Sequence, residues 1–237
     1  MKLKDFKKKH NGEIAFLLGG GPSLHYLDID MIKDHVTITV NSAIEKMFLC
    51  DYFVSDDHDI SGWNYYESLH MSPCTKFLYK DKFEGKCGKL KDLVLYSHTW
   101  WYSPEDKSYN FDGLRLTEDE PIVGARTSMG SAVHIAYIMG CNPIVLLGND
   151  CQLKDRKRYY WQFPGEKKQF RVKGRKFTHQ TQNRGFSKDS FAEYWKHFAR
   201  VNKDNDVNII DASDSCLDCF PKMSVIEVLD NYGVKNG

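Results

Sequence analysis

A chain of 237 residues can bury a substantial core, and its 33 Lys and Arg against 32 Asp and Glu remove the electrostatic case for a nucleic-acid or acidic-membrane partner. The basic start, Met1 to His10, leads into no apolar stretch of signal-peptide length, and no run approaches the ~18 apolar residues of a membrane span; a soluble, cytoplasmic protein acting on a discrete ligand is expected. Seven scattered cysteines, at 50, 74, 87, 141, 151, 216 and 219, read as reduced thiols. Of these, Cys216-Leu217-Asp218-Cys219 has the spacing of half a zinc site but lacks a second pair.

In chain order, Glu13 to Leu18 is a short apolar run ending directly in three glycines, which predicts a buried strand and a sharp turn. Val36 to Val40, Tyr52 to Ser55, Lys76 to Tyr79 and Leu93 to Tyr96 are further β-branched or aromatic runs. Continuously apolar strands of this kind suit a parallel sheet covered on both faces. From Thr127-Ser128 the pattern becomes helical through Ala132, Ile135, Ala136 and Met139, closing at Gly140, and Pro143 to Asp150 predicts another buried strand. Residues 151–186 are polar, basic and aromatic without periodicity, the composition of a functional loop, and are a candidate lid. Ser187 then caps an amphipathic helix striped by Phe191, Trp195, Phe198 and Val201. Val207 to Ile210 predicts a last strand and Ser224 to Tyr232 a closing helix. No repeat or linker divides the chain, so one α/β domain over 1–237 is expected, Rossmann-like, with a parallel or mostly parallel sheet and helices on both faces.

Chemistry concentrates where predicted strands end. A strand ending in Gly19-Gly20-Gly21-Pro22-Ser23 lets backbone N–H groups approach a phosphate, although a tight turn binding nothing has the same composition. Asn41 follows the second strand, on the carboxyl edge where open α/β sheets bind ligands. Asp56-Asp57-His58-Asp59 follows the third, where Asp56, Asp57 and Asp59 could hold a divalent cation or simply cap the next segment. Thr127, Ser128, Gly130 and Ser131 open a helix that could hold an anion or ribose as readily as cap itself, and Asp150 closes the following strand. In the candidate lid, Arg156, Lys157, Arg158, Tyr159, Tyr160, Arg171, Lys173, Arg175, Lys176 and His179 could neutralise a departing phosphate and hold an acceptor, with His179 titrating near neutrality. Trp63, Tyr65, Tyr66, Trp100, Trp101 and Tyr102 could line a cleft or an interface, or pack in the core.

Ala15 to Leu24 with Asn41, and Arg126 to Ser131 running on to Leu147-Gly148-Asn149-Asp150, together resemble the bacterial sialyltransferases that extend lipooligosaccharides. They equally resemble the related family of the archaeal hydroxymethyl-dihydropterin pyrophosphokinase and flagellin-modifying glycosyltransferases. The resemblance covers about the first sixty residues and 121–232. It implies a CMP-sugar donor held by Gly19 to Ser23, Asn41 and Thr127 to Ser131, Tyr159 or Tyr160 assisting the phosphate, and His179 as base. Two departures stand out: Gly20 replaces an Asn of the sialyltransferases, and the Asp56-Asp57 cluster is closer to the pyrophosphokinase-like family, which resembles a Mg-using enzyme. The expected function is therefore transfer of a nucleotide-activated sugar to the hydroxyl of a small-molecule or glycan acceptor. The alternatives are Mg-dependent diphosphate transfer from ATP to a small alcohol, and nucleotide binding without catalysis.

Overall fold

A computed structural model describes residues 1–57, 60–80, 90–96, 98–100, 102–103, 108–109, 122–124, 127–172 and 191–233. The main strands are β1 (Ala15–Leu18), β2 (Val36–Val40), β3 (Tyr52–Ser55), β4 (Thr75–Tyr79) and β5 (Leu93–Tyr96). Next come two small pairs, β6 (His98–Trp100) with β9 (Ile122–Gly124) and β7 (Tyr102–Ser103) with β8 (Ser108–Tyr109). The chain then returns to the main sheet with β10 (Ile144–Leu147) and β11 (Ile209–Asp211). The helices are α1 (Tyr66–Met71), α2 (Ser128–Ile138), α3 (Phe191–Val201) and α4 (Val225–Tyr232). Ser187, expected to cap α3, lies outside the described residues.

One seven-stranded sheet runs β11-β10-β1-β2-β3-β4-β5, every pair parallel, in a Rossmann-like α/β arrangement. Every residue of β1, β2, β3 and β10 is buried, because helices and turns cover both faces. Side chains alternate across each strand. Ala15, Leu17, Ile38 and Val54 face α2 and α3, while Phe16, Leu18, Phe53 and Leu147 face Ala43, Ile44, Leu69 and Val228. Helix α2 is buried from Met129 through Ala136, so it is apolar all round and lies as an inner layer. By contrast, α3 and α4 each bury a stripe, Tyr194, Trp195 and Phe198 on the first and Val228 on the second. Short 3-10 turns, Pro22–Tyr26, Ile29–Met31 and Asn41–Glu45, make the early crossovers. No helix among the described residues is long and apolar enough to cross a membrane.

The strand order places the site. From β1 the chain builds outward to β5, then returns to lay β10 on the other side of β1. That order reverses between β1 and β10, and the carboxyl ends of the strands at such a point are the usual ligand position in open α/β sheets.

Candidate functional site

The turn after β1 packs closely onto the end of β10. Gly19 N–H donates to the Leu147 carbonyl at 2.7 Å and Gly21 N–H to the Gly148 carbonyl at 2.8 Å. A Cβ on Gly19 would lie 2.6 Å from the Gly148 oxygen and 2.7 Å from Met129 Cε; one on Gly21 would lie 1.9 Å from Asp150 Oδ2. Close backbone approach therefore requires these two glycines. Ser23 N–H donates to both Asp150 carboxylate oxygens, at 3.2 and 3.3 Å. Burial pushes the Asp150 carboxyl up to about 6, against the opposing pull of Ser23. The protein thus engages the amides of Gly19, Gly21 and Ser23 itself. The half-buried residue of the three glycines is Gly20, whose Cβ position lies 3.3 Å from the Tyr159 ring and 3.5 Å from Ser42 Oγ.

Beside Gly20 opens a cavity of about 100 Å³, lined by Asn41, Ser42, Asp57, Trp63, Tyr65, Tyr159 and Trp161. Its walls are paired rings. Tyr159 and Trp161 stack at 5.0 Å with planes 8° apart, Trp63 and Tyr65 at 5.9 Å and 25°, and the Arg171 guanidinium sits 5.3 Å over Trp63. Asn41 holds a left-handed backbone at φ 53°, which Asn tolerates better than most residues. Its Oδ1 accepts from Ser55 Oγ at 2.7 Å, which leaves Nδ2 as that side chain's donor. Ser55 Oγ also accepts from Asp57 N–H at 3.1 Å, and Asp57 Oδ2 accepts from Trp63 Nε1 at 3.1 Å. One hydroxyl at the tip of β3 thereby sets both polar groups of the cavity.

The two candidate phenols separate. Tyr159 is extended, at φ −135° and ψ 149°, so neighbouring side chains point to opposite sides. Tyr159 lines the cavity while Tyr160 enters the core, its hydroxyl donating to the Ser42 carbonyl at 2.6 Å and its N–H to the Gly20 carbonyl at 3.1 Å. Burial pushes the Tyr160 phenol up, so the structure assigns it to anchoring. Other ties hold the described part of the candidate lid. Glu166 accepts from Lys46 Nζ at 2.7 Å and contacts His25 Nδ1 at 2.8 Å, Lys167 pairs with Glu45, and Trp63 bridges to Arg171. Within 151–172, Cys151, Tyr160, Phe163 and Gln169 are buried and anchor a segment that is otherwise half-buried or exposed. Lys173, Arg175, Lys176 and His179 lie outside the described residues.

Across the sheet edge, Thr127 Oγ1 caps α2 by accepting from Gly130 N–H at 3.2 Å. Asp56 N–H donates to Ser128 Oγ at 2.9 Å, and the Asp56 carboxylate accepts from Ser131 Oγ at 2.8 Å and from the Tyr96 hydroxyl. The start of α2 is therefore stitched to β3 and β5, with Met129 against Gly19. Of the expected metal set, Asp56 accepts from Ser131 and Tyr96, Asp57 accepts from Trp63, and Asp59 lies outside the described residues. Among the described residues no three His, Cys, Asp or Glu side chains are grouped to hold a metal ion.

Sequence reasoning did not name Ser42 or Trp161. The signal was the run Tyr159-Tyr160-Trp161, three consecutive rings of which the first and third stack. Compared with known proteins, no family model matches the chain and no curated protein matches it.

Proposed function

We propose that this protein is a transferase that binds a nucleotide-activated sugar at the carboxyl edge of its sheet and passes the sugar to an acceptor hydroxyl. The observation that carries the reading is the ring-walled cavity beside Gly20, with the Asn41 amide and the Asp57 carboxylate at its polar rim. Stacked aromatic walls offer π faces to a flat base or the apolar face of a sugar, and the two polar groups fix its orientation. A cavity of about 100 Å³ takes one ring-sized group; the remainder of the donor would lie along the edge past Gly20 toward the α2 start. In the transfer, the acceptor oxygen bonds to the anomeric carbon, the bond from that carbon to the phosphate oxygen breaks, and the acceptor proton passes to a base. Tyr159 is the phenol suited to the departing phosphate and His179 the candidate base.

A thermal-shift series with CMP, CDP, UDP, GDP and ATP, each with and without Mg, tests this. A preferred nucleotide near a hundredfold its Kd stabilises the fold by about 2.7 kcal/mol, on the order of 5–10 °C in a chain of this size. Stabilisation by CMP without Mg, with release of CMP from a CMP-sugar in the presence of acceptor, supports glycosyl transfer. A response to ATP only with Mg would replace it with diphosphate transfer. Binding without turnover would leave a nucleotide-binding protein.

A further inference from the structure

The structure points to a second chemistry at the opposite edge of the sheet, independent of the transferase reading: we propose that Cys50 and Cys74 form a reversible disulfide across the entries of β3 and β4. Both thiols are buried in one apolar cluster. The backbone that carries them is already paired. Thr75 N–H donates to the Asp51 carbonyl at 3.0 Å, and Tyr52 and Thr75 are register partners in the parallel ladder. Continued one residue back, this register sets Asp51 opposite Cys74 and Cys50 on the diagonal; with strands about 4.8 Å apart and a rise of about 3.3 Å per residue, that diagonal is about 6 Å, within the Cα span a disulfide bridges.

The surroundings make the two sulfurs unequal. Cys74 is pulled down, by Cys50 foremost and also by Ser72 and the Lys76 charge, while Cys50 is pushed up by Cys74 and by burial. Lys76 is itself buried, its Nζ donating to the Ser72 and Cys74 carbonyls at 2.8 and 2.7 Å. Cys50 Sγ lies 3.2 Å from Thr39 Oγ1. Cys216 and Cys219, the pair that sequence spacing nominates, are both held above the ordinary thiol value by burial. The reactive thiol is thus Cys74, and Cys50 is the group that resolves it.

Hydrogen peroxide is the oxidant small enough for this position, where exposed Leu49 and Asp51 flank Cys50. The Cys74 sulfur attacks one peroxide oxygen; the sulfur–oxygen bond forms, the O–O bond breaks, and the released hydroxide takes the thiol proton to give water and a sulfenic acid. The Cys50 sulfur then attacks the Cys74 sulfur; the disulfide forms, the sulfur–oxygen bond breaks, and that hydroxide leaves as a second water with the Cys50 proton. Two thiols lose two electrons and one peroxide becomes two waters. The closed loop would carry Asp57, Trp63 and Tyr65, three walls of the ring-lined cavity.

The test is mass mapping of the full-length protein after brief peroxide treatment and denaturing alkylation. The expected product lacks two alkylatable cysteines, yields a Cys50–Cys74 cross-linked peptide, and reverts fully with dithiothreitol. Cys216→Ser and Cys219→Ser leave this unchanged, whereas Cys50→Ser blocks the cross-link and lets Cys74 over-oxidise. Retention of both Cys50 and Cys74 as alkylatable thiols while another pair cross-links, or sulfinic acid on Cys74 of the unsubstituted protein without a cross-link, overturns the proposal.

Discussion

Asp150 turns its carboxylate back from the end of β10 onto Ser23, accepting from the Ser23 amide through both oxygens. A protein carboxylate thus occupies a backbone donor of the glycine turn at the point where strand order reverses, joining two segments far apart in sequence. The open cavity at this edge of the sheet lies instead beside Gly20, lined by Asn41 and the paired rings.

Asp150 is costly to ionise where it sits. Its folded value near 6 exceeds the ordinary 3.8, so the folded state holds its proton longer than the unfolded state does. Its contribution to stability is greatest below pH 4 and declines as pH rises from about 4 to 6, by about 3 kcal/mol at 1.36 kcal/mol per unit. Asp150→Asn keeps an acceptor for Ser23 and removes the ionisation. Urea unfolding at pH 4.5 and 7 should show a flatter pH dependence in the variant, with unchanged or higher stability at pH 7.

The three glycines should respond differently to alanine. Gly21→Ala meets Asp150 Oδ2 at 1.9 Å and the Gly148 oxygen at 2.5 Å, so destabilisation of about 2–4 kcal/mol is expected in chemical denaturation. Gly20→Ala meets nothing closer than 3.3 Å and should cost under about 1 kcal/mol. Its effect should appear in the nucleotide-dependent thermal shift, which it reduces.

Neighbouring tyrosines should give opposite phenotypes. Tyr160→Phe strands the buried Ser42 carbonyl and should cost about 1–3 kcal/mol of stability. Tyr159→Phe should leave the unfolding midpoint nearly unchanged while lowering kcat more than it raises KM, if the phenol meets the departing phosphate.

The two adjacent aspartates should also divide. Asp56→Ala deprives the Tyr96 and Ser131 hydroxyls of their acceptor and loosens α2 from the sheet, an expected loss of about 2–3 kcal/mol. Asp57→Asn keeps an acceptor for Trp63 and removes charge from the cavity rim. Titration of the preferred nucleotide should show weaker binding in Asp57→Asn, with a melting temperature close to that of the parent protein.

The strands were legible because burial on both faces demands unbroken apolar runs: Ala15–Leu18, Tyr52–Ser55 and Ile144–Leu147 all lie within segments marked by composition. So were α2, through its Thr127 cap, and α4, whose Ser224 and Glu227 cap it reciprocally. The pieces of the cavity were legible only separately. Asn41 sits at a strand end that any reader of α/β sequences would mark, but its link through Ser55 to Asp57, and the meeting of Trp63 with Tyr159, span long stretches of chain whose pairing no local pattern encodes.

Local pattern alone marks the seven strands of the main sheet, the helices α2, α3 and α4, and the glycines that end β1. Apolar periodicity, caps and the missing Cβ are local properties, carried by each segment alone. Where those groups point depends on the assembled fold. The close approach of β10 to β1 gave the Ser23 amide to Asp150, the extended backbone at Tyr159 sent one phenol to the cavity and the next to the core, and the β3–β4 pairing laid the segment entering β3 beside the one entering β4. Hydrogen bonds and close contacts act over a few ångströms in space, and the distance along the chain between their partners does not enter their energy.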